Sequence, residues 1–185
     1  ADTEYVLWST LTANWADAKY YEFDENAAND DIAGGIKVAA DGSTVINVYY
    51  TPVLYTATFN AGDGSFEGGE KTATAEVDHF DLVKDNVPAV NPTREGYSFG
   101  GWNGVTDTLT LSSNREFIAK WNVNSYTVTW DVDGATSTSS VVYNTAIPTT
   151  KDPSKEGHTF AGWSWTKTEN SDSITAPSAM PAYDV

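Results

Sequence analysis

Apolar and polar residues alternate along two stretches of the chain, and each stretch predicts a β-strand with one buried face. Apolar side chains occupy every second position from 55 to 59 and again from 126 to 132, with Thr or Asp between them. A period of two is what a half-buried strand requires. Glycines and a returning β-rich stretch follow each strand. The pattern therefore predicts two successive β modules, a first repeat at 55–125 and a second repeat at 126–185.

A short aromatic motif occurs once in each repeat. Residues 95–102 read Glu-Gly-Tyr-Ser-Phe-Gly-Gly-Trp, and residues 156–163 read Glu-Gly-His-Thr-Phe-Ala-Gly-Trp. A small module buries little of its surface, and large aromatic side chains compensate for this. We therefore interpret the motif as a packing device, with a platform for stacking a sugar ring as the alternative. In the first repeat we expect one core made of Tyr55, Phe59, Tyr97, Phe99, Trp102 and Trp121.

Glycines in and near the motif predict specific backbone features. Gly96 and Gly157 each follow a proline-led turn. We expect both to have a positive φ, which glycine adopts without strain. Gly100, Gly101 and Gly162 stand beside a tryptophan, which predicts a β-bulge or a close backbone approach that the indole can cover. The pair Asp133-Gly134 lies between two β-rich stretches and predicts a tight hairpin.

The remaining pattern predicts one short helix and a closing strand. Residues 79–84 can form one or two helical turns if Phe80 and Val83 pack against the sheet. Residues 117–121 read Phe-Ile-Ala-Lys-Trp and predict the last strand of the first repeat. By alignment the second repeat lacks that strand. Residues 1–8 predict a strand of the same closing type, as though it belonged to a preceding repeat.

Composition narrows the classes of function. The formal net charge is −16 with only 10 Lys and Arg residues, which argues against nucleic acid and against an anionic membrane surface. No apolar run is long enough to cross a membrane, and the N-terminus lacks the pattern of a signal peptide. The absence of cysteine excludes disulfides, thiol catalysis and zinc–thiolate sites. The acidity keeps an exposed protein soluble, with a cationic partner as the alternative.

Candidate reactive side chains are few and scattered. His79 and His158 lie in different repeats, with no nucleophile or acid at a catalytic spacing, so we interpret both as surface or core histidines. Trp165 has no counterpart in the first repeat and is the aromatic side chain whose exposure would point to a ligand.

Two acidic clusters suggest calcium at first sight. Asp30-Asp31 and the pair Asp131 and Asp133 are both short, and neither continues to the terminal glutamate of a calcium loop. A solvated loop and a hairpin turn account for them. We therefore predict no catalytic, cofactor-binding or metal-binding residue and no cofactor, and the ligand-binding residues stay unassigned.

Both repeats resemble a known family, the Listeria–Bacteroides repeat, which is the B-repeat of internalin-like bacterial surface proteins. The family pattern joins a Tyr-Thr-x-Thr-aromatic strand, a glycine turn, the proline-flanked motif and a closing strand ending in Ala-Lys-Trp. Residues 55–121 carry nearly all of it, whereas the second repeat has His158 in place of the tyrosine. The resemblance implies a mainly β or α+β fold, in which small β-grasp-like (ubiquitin-like) modules follow one another in an elongated arrangement.

Residues 20–53 resemble, more distantly, the end of a MucBP-type (mucin-binding-protein) module. The likeness rests on Tyr-Glu-Phe-Asp at 21–24 and on Ala-Asp-Gly-Ser-Thr-Val at 40–45. The predicted organisation is a partial MucBP-like module at 1–54, a first B-repeat-like module at 55–125 and a second one, without its final strand, at 126–185.

The resemblance implies a non-enzymatic structural or spacer segment of an adhesin-like repeat protein, extracellular on the bacterial surface and either cell-wall-associated or secreted. The alternative is a module that binds a mucin-type glycan or a host protein. The expected partners are the neighbouring modules of a longer surface protein, without nucleic acid and without membrane insertion.

One further partner follows from the unequal repeats. The sheet edge left open in the second repeat could accept residues 3–8 of another molecule by β-augmentation, which would give strand-exchange self-association. The alternative is that residues 183–185 of the same chain cover that edge.

Overall fold

A computed structural model describes residues 17–24, 26–27, 39, 41–43, 45, 47 and 49–185 of the protein. The described chain is mainly β, as predicted, with short 3-10 turns at Ala18–Tyr20, Glu67–Gly69 and Val83–Asn86. Its strands are β1 (Tyr21–Phe23), β2 (Tyr50–Pro52), β3 (Leu54–Asn60), β4 (Thr72–Asp78), β5 (Tyr97–Trp102), β6 (Arg115–Val123), β7 (Ser125–Val132), β8 (Ala135–Val142), β9 (Trp165–Thr166) and β10 (Ser173–Ile174). The strand predicted at 3–8 and the pair Asp30-Asp31 lie outside the described residues.

The described strands form one larger sheet and three small ones. The larger sheet has four strands in the order β4-β3-β6-β5. The two-stranded sheets are β1-β2, β7-β8 and β9-β10. The chain divides into two compact units. The first consists of the described residues up to Thr58 with Thr74–Val87 and Val105–Glu116, and the second consists of Phe59–Ala73, Pro88–Gly104 and Phe117–Val185.

In the first unit, aromatic rings join β1 to the turn after β4. Tyr20 stacks on His79 with ring centroids 3.3 Å apart, and the rings of Tyr21 and Phe80 lie 5.3 Å apart. The Nδ1 atom of His79 lies 2.6 Å from the carbonyl oxygen of Leu111. His79 thus has a packing partner and a backbone partner, which suits a structural histidine.

The helical turn predicted at 79–84 is wrong in position. The Asp78 carboxylate accepts hydrogen bonds from the N–H groups of Phe80 and Asp81 at 2.7 and 3.0 Å. These side-chain bonds close a turn directly after β4, and the turn does not continue as a helix. A 3-10 turn follows instead at Val83–Asn86, where the first side chain is buried as expected, whereas the Phe80 ring is 46% exposed.

In the second unit, a bulge lets two motif aromatics share one face of β5. β5 pairs antiparallel with β6, and the register is interrupted between Phe99 and Trp102. Side chains separated by an odd number of positions point to opposite faces of a regular strand, and an inserted residue reverses this. Gly101 lies in the interruption with φ at +94°. The predicted bulge is confirmed, and it brings the Phe99 and Trp102 rings within 5.1 Å.

The second repeat begins with the predicted tight hairpin. β7 and β8 pair antiparallel up to Val132 and Ala135, with Asp133 and Gly134 between them. Both turn residues have positive φ, 52° and 88°, as a type I′ turn requires. The Asp131 carboxylate accepts a hydrogen bond from the Gly134 N–H at 2.7 Å, so this acidic pair serves the turn.

Candidate functional site

Three aromatic rings meet at the motif of the first repeat. Trp102 makes edge contacts with Phe59 from β3 and with Phe99 from β5, both with centroids 5.1 Å apart. Phe59 is fully buried and Trp102 is 6% exposed. The predicted core is therefore confirmed for these three side chains. Edge-to-face geometry adds a favourable quadrupole contact to the burial of apolar surface.

The second repeat builds the same triad. Trp130 from β7 takes the place of Phe59, and its ring lies 4.9 Å from Trp163 at 64°. Phe160 and Trp163 lie 5.3 Å apart at 65°, which nearly repeats the angle of 66° between Phe99 and Trp102. The motif thus forms its aromatic contacts in both repeats.

The closing strand β6 completes the core of the first repeat. Phe117 stacks on Phe59 at 5.5 Å, and Trp121 meets Phe99 at 5.8 Å. The Trp121 indole N–H donates a hydrogen bond to the Ala61 carbonyl at 3.1 Å. The same indole covers Gly64, where a β-carbon would come within 2.4 Å of the ring. Trp121 is therefore a core residue, as predicted.

The second repeat has a groove where the first has its closing strand. Within 126–185, which the structure describes throughout, β7 pairs with β8 and has no counterpart of β6 on its other edge. An open groove of about 510 Å³ lies between 129–133 and 158–166, with Val185 at its margin. Trp165 lines this groove, half-buried, with its ring 5.4 Å from Trp130.

Val185 bonds to the edge of β7 at the position where β6 begins in the first repeat. Its N–H donates to the Thr127 carbonyl at 3.0 Å, and its carbonyl accepts from the Thr129 N–H at 2.7 Å, the pattern of a parallel bridge. Before it, the Asp184 carboxylate accepts the Thr127 N–H at 2.7 Å. In the first repeat the Asn114 side chain accepts the Thr56 N–H at 2.9 Å in the equivalent way. Asp184 thus corresponds to Asn114, and Val185 corresponds to the residue that begins β6.

A joint between the repeats forms around Gly96. Tyr143, directly after β8, covers this glycine so closely that a β-carbon at Gly96 would lie 2.2 Å from its ring. Tyr143 also meets the rings of Tyr97 at 5.9 Å and Tyr126 at 6.4 Å. Tyr97 was predicted in the core with Phe59, and this is wrong because Tyr97 lies in the joint instead.

Asn124 ties the backbone of this joint together. It is the one residue between β6 and β7, and its N–H donates to the Gly96 carbonyl at 2.9 Å. Its own carbonyl accepts the Tyr143 N–H at 2.9 Å, and its side chain accepts the Ser98 hydroxyl at 2.6 Å. The pattern of aromatic spacing did not reveal this role of Asn124 or Tyr143, because neither residue belongs to the motif.

The other sequence candidates do not converge on a reactive site. His158 is exposed, with Nδ1 at 2.9 Å from the Glu156 carbonyl, and Asp133 pairs with Lys155 at 2.7 Å. Among the described residues there is no group of three potential metal ligands. The part of the chain that the structure describes also contains no helix long and apolar enough to span a bilayer.

Comparison with known proteins agrees with the repeated architecture. The model of the Listeria–Bacteroides repeat domain matches residues 55–123 and 126–185. The chain belongs to this family.

Two curated relatives of the chain come from different bacteria. Internalin H of Listeria monocytogenes is 35% identical over 140 residues, which are 71% of this chain and 24% of that protein. A putative membrane protein of Evansella cellulosilytica is 32% identical over 120 residues, 60% of this chain and 17% of that protein. The chain therefore spans a quarter or less of the length of these relatives. No solved structure gives a significant match.

Proposed function

We propose that the chain is a non-enzymatic structural segment of an adhesin-like bacterial surface protein, in which tandem β modules space or present another part of the molecule. The joint between the repeats carries this proposal. One residue separates β6 from β7, and that residue bonds to both repeats through its backbone. A connection this short, with packed aromatic rings beside it, favours a semi-rigid junction over a flexible linker.

The finer assignments are part of the same proposal. The strand order β4-β3-β6-β5 supports a β-grasp-like module, because the first strand and the last strand of the repeat are neighbours. A partial MucBP-like module at 1–54 would precede the two repeats. An extracellular, cell-wall-associated or secreted location is supported by the names of the relatives, an internalin and a putative membrane protein.

A distance measurement across the joint tests the structural role. The chain has no cysteine, so Asn103→Cys and Thr138→Cys, both at exposed positions, provide two unique spin-label sites. We expect a narrow distribution of label distances, and we expect Tyr143→Ala to broaden it by removing the ring that covers Gly96. Tyr183→Ala, a half-buried tyrosine in the second repeat, is the control that should leave the width unchanged. A broad distribution in the unsubstituted joint would refute the proposal.

The groove of the second repeat favours a second candidate function, binding of a glycan or a host protein. Trp130, Trp163 and Trp165 line it, and aromatic rings beside polar groups suit a sugar ligand. We expect a glycan array to show binding that Trp165→Ala removes, while Phe80→Ala, which removes an exposed aromatic side chain outside the groove, retains it. Identical array profiles for the chain and Trp165→Ala would exclude this function for the groove.

Strand exchange is a proposal for the same groove. The edge of β7 beyond Thr129 carries no paired strand in the described structure, and residues 3–8 of another molecule could pair there. Light scattering should then show mass that rises with concentration, and a peptide of residues 3–8 should reverse the increase whereas a scrambled peptide should not. A strict monomer at all concentrations would contradict exchange.

A further inference from the structure

The Gly157 turn of the second repeat repeats the Gly96 turn without its cover. Gly96 and Gly157 have φ angles of +75° and +73°. The Tyr97 N–H donates a hydrogen bond to the Arg94 carbonyl, and the His158 N–H donates one to the Lys155 carbonyl, both at 3.1 Å. Gly96 is buried under Tyr143, whereas Gly157 is exposed with no heavy atom near its β-carbon position.

The uncovered turn has the same backbone conformation and the same kind of ion pair as the covered turn. In the first repeat Arg94 pairs with Asp63 at 3.0 Å, and in the second Lys155 pairs with Asp133 at 2.7 Å. Both acids lie in the turn that follows the first strand of their repeat. A surface that keeps its bound conformation before docking loses less conformational freedom when a partner binds.

We propose that the Gly157 turn is a docking site for the tyrosine of a further repeat, placed as Tyr143 is placed on Gly96. The occupant is a copy of this repeat, because continuity with the Gly96 joint specifies both contacts. A residue equivalent to Asn124 donates its N–H to the Gly157 carbonyl. A tyrosine equivalent to Tyr143 covers Gly157 and packs on His158, which replaces Tyr97.

This inference rests on the proposed structural function, since it supposes that repeats follow one another through one kind of joint. It also gives a second reason for glycine at 157. A positive φ alone would tolerate other residues at some cost, whereas a covering ring leaves no room for a β-carbon, as at Gly96. The docked joint therefore predicts a steric requirement at Gly157 that the uncovered turn does not have.

An extended chain tests the proposal. Because Val185 corresponds to Arg115, appending residues 116–185 after Val185 continues the chain in phase and supplies a closing strand, an Asn124 and a Tyr143 to the second repeat. The ring current of the added tyrosine should move the Gly157 α-proton resonances upfield relative to the original chain. Gly96, already covered, is the internal reference and should be displaced in both proteins.

The matched control replaces Tyr143 by Leu in the appended copy alone. The Gly157 displacement should then disappear while the Gly96 displacement remains. A second, shorter extension with residues 116–144 carries the same tyrosine but does not depend on folding of a complete third repeat. Unchanged Gly157 resonances in both extensions, with Gly96 still displaced, would overturn the inference and leave the proposed function intact. An undisplaced Gly96 in the original chain would instead contradict the joint itself.

Discussion

The two repeats show what the aromatic motif can do with and without a closing strand. In both repeats the motif tryptophan contacts the motif phenylalanine and one aromatic ring from the first strand of the repeat. The centroid distances of these contacts lie between 4.9 and 5.3 Å. In the first repeat β6 then adds Phe117 and Trp121. The motif therefore forms its contacts without β6, and the strand supplies burial.

Burial is where the repeats differ most. Trp102 is 6% exposed, whereas Trp163 is half-buried at the wall of an open groove. The second repeat does have a core of its own, in which Val128, Val141, Met180 and Val185 are buried. That core lies around the hairpin and the C-terminal residues, so the motif tryptophan contributes less to it.

The largest expected effect compares the two motif tryptophans. Trp102→Ala should lower the free energy of unfolding by about 3–5 kcal/mol, because it leaves a cavity among buried rings. Trp163→Ala should cost about 1–2 kcal/mol, because only part of its surface is removed from water. Urea unfolding followed by circular dichroism measures both.

Conservative variants provide the control for this comparison. Trp102→Phe and Trp163→Phe retain a ring and should each lose less than the alanine variant at the same position. Equal losses for Trp102→Ala and Trp163→Ala would mean that β6 adds no burial to the motif, and the contrast between the repeats would fail.

The next effect compares the two turn glycines. Ala at either position meets the same backbone strain of about 1–2 kcal/mol at positive φ. Gly96→Ala must also displace the Tyr143 ring, and overpacking of this kind lowers the free energy of unfolding by about 1–3 kcal/mol more. Gly96→Ala should therefore destabilise the chain more than Gly157→Ala, as measured by thermal or urea unfolding.

A double-mutant cycle isolates the steric part of the glycine effect. In the Tyr143→Ala background the ring is absent, so Gly96→Ala should cost no more than Gly157→Ala. If the difference between the glycines persists without the tyrosine, the close approach of Tyr143 is not its cause.

Much of this arrangement follows from local sequence signals. Alternation predicted β3 and β7, Asp133-Gly134 predicted the hairpin turn, and the glycines before Trp102 predicted the bulge, because each of these features depends on a few neighbouring residues. The aromatic core was predicted for the same reason, since few other side chains in a small module bury enough surface.

The joint could not be predicted in this way. In the sequence Tyr97 stands two positions before Phe99, as an aromatic residue of the same core would. Only its contact with Tyr143 in the structure shows that it lies in the joint between the repeats. Asn124 looks like a linker residue, because backbone hydrogen bonds to another module leave no trace in periodicity. The helical turn predicted at 79–84 lies at Val83–Asn86 instead, and the Asp78 carboxylate closes a separate turn directly after β4.

The smallest expected effect compares the basic side chains of the two turns, Arg94 and Lys155. The Arg94 guanidinium lies 3.8 Å over the Tyr97 ring, and this side chain is 25% exposed, whereas the Lys155 side chain is 60% exposed. An exposed ion pair contributes little, so Lys155→Ala should cost about 0–0.5 kcal/mol and Arg94→Ala about 1–2 kcal/mol with its ring contact included.

The reverse change sharpens the same point. Lys155→Arg combined with His158→Tyr gives the second turn the cation–π pair of the first, and should raise the free energy of unfolding by about 0.5–1 kcal/mol at an exposed site. Each single substitution is the control and should gain less than the pair, because the contact needs both side chains. Added salt should leave part of this gain in free energy of unfolding, since screening weakens an exposed ion pair such as Lys155–Asp133 more than it weakens a guanidinium stacked on an aromatic ring. No gain in the double variant would show that the Arg94–Tyr97 contact depends on Tyr143 packed beside it, and hence that the first turn is stabilised by the joint and not by its own sequence.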